Sequence, residues 1–170
     1  MRHEVFDAPE SLDVPESLED LSRPEHLLVW ALRAIGVGRG DCPLLVQTFT
    51  RALGPRGPEV FGAYLVLVKS IALTSRRRLA VHVPGCPCLG ADELAVLGIV
   101  AAAQDEPHAA HASLLQMRLR FLIAGEPKDV ILRAARIVAH ALEMKGHILP
   151  LRAEAPSPPT ETWPGLRVVH

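Results

Sequence analysis

Between residues 23 and 149 apolar positions recur at helical spacing and are broken by Gly and Pro. Leu28, Ala31, Leu32 and Ile35 lie three or four apart, which predicts one apolar helix face. Ser22, Pro24 and Glu25 are start signals for that helix, and Gly36 to Gly40 stop it. Asp41 is placed to cap a second helix, Pro43 to Leu53, ended by Gly54-Pro55. A third runs from Pro58 to about Thr74 and is apolar nearly all round, so it is expected at the centre. Leu79 to Val83 reads as a short extended piece ahead of Pro84. Asp92 and Glu93 open a fourth helix that ends near Gln104. Pro107 opens a fifth, with Ala110, Leu114, Met117 and Phe121 inward and Gly125 at its end. Pro127 opens a sixth, with Val130, Ile131, Ala134, Ile137, Val138 and Ala141 inward and Gly146 as its stop. The expected fold is all-α: a single-domain bundle of about six helices with at most one short strand.

The ends of the chain differ from this core. Residues 1–22 carry seven acidic side chains against one Arg, which predicts a disordered acidic tail. Residues 150–170 hold five prolines and are expected to be a flexible Pro-rich tail. Within it, Leu166 to Val169 is the one piece with strand character, and its expected neighbour is Leu79–Val83. The helical domain is then 23–149. It holds 15 basic and 10 acidic residues, so the net charge of -1 for the whole chain hides an asymmetry.

Composition narrows the class further. The 170 residues suit one domain, and the 49% apolar content excludes wholesale disorder. The three cysteines are an odd number, which argues against a secreted disulfide scaffold. Met1-Arg2-His3-Glu4 lacks the apolar segment of a signal peptide. The longest apolar stretch, Val60 to Leu73, is 14 residues and includes Lys69. A membrane span needs roughly 20. The expectation is a cytoplasmic protein without a membrane partner. Arg outnumbers Lys 15 to 3, which fits a GC-rich bacterial source.

Candidate chemistry gathers in the loop Pro84-Gly85-Cys86-Pro87-Cys88-Leu89-Gly90. Cys86 and Cys88 are two apart, His82 lies four before Cys86, and Cys42 stands at a helix start. Thiolates and imidazole are zinc ligands, and three Cys with one His is a recognised set. Cys42, His82, Cys86 and Cys88 are therefore the candidate metal residues, with zinc or an iron–sulfur cluster as candidate cofactors. Buried inert cysteines and a redox-reactive pair are the two other readings. Placement ahead of the fourth helix predicts a lowered thiol pKa.

From His26 to Ala103 the chain resembles an uncharacterised family of small alphaproteobacterial proteins. The residues behind the resemblance are Ser75-Arg76-Arg77-Arg78, the Cys/Pro-rich loop, and Ala91-Asp92-Glu93-Leu94 opening an apolar helix. That family has cysteines matching Cys86 and Cys88 but none matching Cys42, and it implies no activity.

Other patterns carry less. His108, His111, His140 and Glu143 do not form the Glu-x-x-His pairs of a di-iron bundle. Gly36-Val37-Gly38-Arg39-Gly40 follows a helix, whereas a phosphate loop follows a strand. No hydrolase elbow or zinc-protease motif occurs. No catalytic residue is assigned. The expected function is that of a non-enzymatic cytoplasmic interaction or regulatory protein, tuned by metal or redox state at the Cys-Pro-Cys loop and binding a protein partner. A small metal- or thiol-dependent redox enzyme is the alternative. A DNA-binding regulator comes third, since no continuous basic stripe supports nucleic-acid binding.

Overall fold

The computed structural model describes residues 15, 17–106, 113–152 and 164–170. It is mostly helical: α1 Arg23–Gly36, α2 Pro43–Leu53, α3 Gly57–Thr74, α4 Ala91–Asp105, α5 Ser113–Leu122 and α6 Asp129–Glu143. Two strands, β1 Arg78–His82 and β2 Gly165–Val169, complete it. α2 and α3 run on through a 3-10 turn as one helical stretch, Pro43–Thr74, which leaves five helical bodies where six were expected. Gly54 (φ 77°) bends that stretch. Phe49 of α2 then meets Phe61 of α3 edge-on, with ring centroids 5.2 Å apart.

Local signals set the helix ends. Ser22 donates both its amide (2.8 Å) and its hydroxyl (2.7 Å) to Glu25, so the start of α1 is the one expected. Glu25 is buried, and Arg152 forms an ion pair with it from the far end of the chain. Gly54 supplies the left-handed turn that ends α2. Pro43 and Pro58 stand in first turns, where the missing N–H costs nothing.

The mostly helical expectation holds, and the expectation of at most one short strand needs correction. β1 and β2 pair in parallel, in register from Arg78 opposite Gly165 to His82 opposite Val169. A parallel pair needs a long crossover, and here the crossover contains α4, α5 and α6. The pairing is the one expected for Leu166–Val169 beside Leu79–Val83. Both tails also carry structure nearer the core than expected. Leu18–Asp20 forms a 3-10 turn, Leu21 is buried, and β2 occupies the end of the Pro-rich segment.

Two helix faces also differ from expectation. On α5, Leu115, Leu119 and Leu122 are buried together with Arg118, whereas Met117 and Phe121 are exposed. Arg118 reaches inward because it lies over Gly98 of α4, where a Cβ would sit 2.3 Å from its Nη1. Its Nη2 then donates to the Arg152 carbonyl at 2.6 Å. On α6 the expected Ile131, Ala134, Val138 and Ala141 are buried, joined by Leu132, Ala135, Ala139 and Leu142, and Val130 alone of the expected set is exposed. Ala110, His108 and His111 lie outside the described residues.

Half of an 18-residue window in Pro43–Thr74 is buried inside the fold. By length and composition alone that stretch is apolar enough to cross a membrane. Val60, Phe61, Tyr64, Leu67, Val68 and Ile71 of α3 are instead packed into the core, while Leu73 is exposed.

Candidate functional site

β1 has two edges. One pairs with β2, and the other leaves N–H groups that need acceptors. The two acidic side chains of the first turn of α4 supply them. Asp92 accepts the Ala80 amide at 2.7 Å, and Glu93 accepts the His82 amide at 3.0 Å. Both carboxylates are buried and would be costly there as lone charges. Arg77 forks onto Asp92 at 2.7 and 2.5 Å. Arg33, from α1, forks onto Glu93 at 2.7 and 2.9 Å.

Glu93 holds several groups at once. Besides Arg33 and the His82 amide, it accepts the Gly90 amide at 2.9 Å and His82 Nδ1 at 3.1 Å. An ionised carboxylate only accepts, so Nδ1 carries the proton in this contact. Burial acts to raise the Glu93 pKa. The Arg33 hydrogen bonds, the Gly90 and His82 amides and the Arg33 charge outweigh it and hold the carboxyl below its ordinary range.

Arg33 also reaches the cysteine loop. Its Nη1 donates to the Cys86 carbonyl at 2.6 Å, and its Nη2 donates to the Cys88 carbonyl at 2.5 Å. The intervening Pro87 carbonyl instead accepts the Leu18 amide at 2.9 Å. Carbonyls that alternate in this way belong to extended backbone. Ser17 forms an antiparallel bridge with Cys88. The segment 17–21 therefore lies along the loop as a strap, and buried Leu21 anchors its end.

The four candidate ligands are placed differently. Cys86 is half-buried, Cys88 is exposed, and neither forms a disulfide. The Cys86 thiol lies close enough to Cys88 to raise its pKa, first by hydrogen bonding and then by charge. That reverses the expected lowering. Cys88 stands ahead of Gly90, the N-cap of α4, and the neighbouring thiol outweighs the lowering by the Arg33 charge. His82 is turned to Glu93. Cys42 is the N-cap residue of α2, and its amide donates to the Arg39 carbonyl at 3.1 Å. Among the described residues no three His, Cys, Asp or Glu side chains are grouped to hold a metal ion. The zinc and iron–sulfur readings of Cys42, His82, Cys86 and Cys88 gain no support from this arrangement.

Arg33, Arg77, Asp92 and Glu93 organise the site, and sequence reasoning did not place them there. Asp92 and Glu93 read as the acidic opening of a helix, and Arg77 as one of three successive arginines. The one trace of Arg33 is a guanidinium amid Ala31, Leu32, Ala34 and Ile35. Comparisons with protein-family models, curated proteins and solved structures give no match.

Proposed function

We propose that this is a non-enzymatic interaction or regulatory protein whose binding is tuned by the oxidation state of Cys86 and Cys88. One observation carries the reading. The two thiols face each other on a loop whose backbone also holds the N-terminal strap. An extended strand rises about 3.3 Å per residue, which sets the Cα atoms of Cys86 and Cys88 roughly 6.6 Å apart. That is near the upper end of the roughly 4.4–6.8 Å range a disulfide accepts.

Closing the bond curls the backbone. The two thiols lose two protons and two electrons, the S–S bond forms, and a peroxide oxidant becomes two waters as its O–O bond breaks. Curling turns the 86, 87 and 88 carbonyls away from their alternating directions. Arg33 stays paired with Glu93, so the strap, held through Leu18 and Ser17, is the attachment that yields. Release uncovers the loop and the seat of Leu21, which together form an apolar surface for a protein partner.

Peroxide treatment followed by peptide mapping and amide exchange tests this. The expected result is a Cys86–Cys88 disulfide with faster exchange at Leu18 and Leu21. Cys86→Ser abolishes both effects. The reading fails if no disulfide forms, or if it forms and the strap stays protected. Cytoplasmic location belongs to the same proposal, since the switch needs a compartment that keeps thiols reduced.

A further inference from the structure

A second site lies away from the cysteine loop. A cleft of about 370 Å³ opens between the turn before α3 and the outer face of α6, lined by Arg56, Asp129, Arg133, Arg136, Ile137 and His140. Arg133, Ile137 and His140 follow one another at four and three residues, so they share one helix face. The α6 rise of about 1.5 Å per residue spreads Arg133 and His140 over roughly 10 Å.

The guanidinium groups are oriented but not used up. Arg56 meets Glu59 through Nε (3.0 Å) and Nη2 (2.9 Å). Arg136 meets Glu106 through the same two atoms, at 2.7 and 2.8 Å. In both, the Nη1 edge remains for another acceptor. Arg133 is exposed and makes no hydrogen bond or ion pair among the described residues. Asp129 is the one carboxylate on the wall. Three planar forks and an imidazole spread over this length match several linked anionic groups better than one.

We propose that this cleft binds the oligophosphate group of a small ligand. Arg133 and the free edges of Arg56 and Arg136 take the phosphate oxygens, and His140 donates at the far end. Among the described residues Ile137 is the one apolar side chain in the lining, and none of them offers an aromatic platform for a base. Phosphate is recognised and the group that carries it is not. The site is independent of the thiol reading.

Calorimetric titration with tripolyphosphate at fixed ionic strength tests the proposal. Saturable binding is expected, and Arg133→Ala should weaken it roughly tenfold, the scale of one charge-assisted hydrogen bond. His140→Ala should weaken it less. Arg39→Ala, an exposed arginine outside the cleft, should leave it unchanged. ATP should bind about as well as tripolyphosphate. Circular dichroism of Arg133→Ala should match the parent protein. The proposal is overturned by absence of saturable binding, or by a loss with Arg39→Ala as large as with Arg133→Ala. Tighter binding of citrate, or of a single-stranded oligonucleotide, through the same residues overturns the ligand class.

Discussion

A guanidinium taken fully out of water costs several kcal/mol unless its charge and its donors are matched. Arg33 is 1% exposed and Glu93 is 0% exposed, so each is the other's compensation. Removing one partner strands the other. Arg33→Ala is expected to destabilise the protein by about 3–5 kcal/mol in urea unfolding. The paired replacement Arg33→Met with Glu93→Leu should recover much of that loss. It should still free the loop, because the Cys86 and Cys88 carbonyls lose their donor. A loss in the double variant equal to the sum of the two single losses would show that the pair is not coupled. The same carboxylate sets a pH dependence. Its pKa is lower in the folded chain than the ordinary 4.5, as is that of Glu25. Their contribution is complete above the ordinary carboxylate range and is lost as pH falls through the folded values. Acid unfolding followed by circular dichroism should therefore move to higher pH in Arg152→Ala, which removes the partner of Glu25. The cysteine pair was legible in the sequence as two thiols in a Pro/Gly loop. Its clamp was not, because Arg33 and Glu93 are 60 residues apart and no local pattern joins them.

At the scale of elements, α2 and the start of α3 approach each other backbone to backbone. A Cβ at Gly57 would lie 2.4 Å from the Thr50 N and Cα atoms, which are backbone and cannot swing aside. Gly57→Ala should cost about 1–3 kcal/mol or more, the scale of overpacking, whereas Gly62→Ala, with open space around it, should be neutral or stabilising. Thermal unfolding of the two variants distinguishes them, and a neutral Gly57→Ala would mean that α2 and α3 separate easily. The helix limits followed largely from local chemistry. Ser22 with Glu25, Gly54 and Gly146 act within a turn of the positions they control. The inward face of α5 did not, whereas on α6 Ile131, Ala134, Val138 and Ala141 are buried as expected and Val130 is the exception. Met117 and Phe121 satisfy the helical period, yet α5 packs on Leu115, Leu119 and Leu122 and leaves them facing outward.

Across the whole molecule, β2 returns from the end of the chain to β1, and Val169 accepts the Val83 amide at 3.0 Å just ahead of the cysteine loop. Deleting residues 165–170 leaves β1 with carboxylate partners on one edge and water on the other. Such a truncation is expected to lower the melting temperature and to speed exchange of the β1 amides that face β2. The Ala80 and His82 amides should stay protected by α4, and loss of their protection as well would mean that β2 holds the whole strand in place.

The sequence by itself determined most helix limits, such as the Ser22 start of α1 and the Gly54 end of α2, and which loop holds adjacent thiols, because caps, glycine turns and proline act over one to four residues. Tertiary structure decided which face of α5 is buried, that Arg118 of α5 turns inward, and that an arginine of α1 clamps the loop before α4. Those outcomes rest on contacts between segments tens of residues apart, where the burial of one charge is balanced by another that no local spacing identifies.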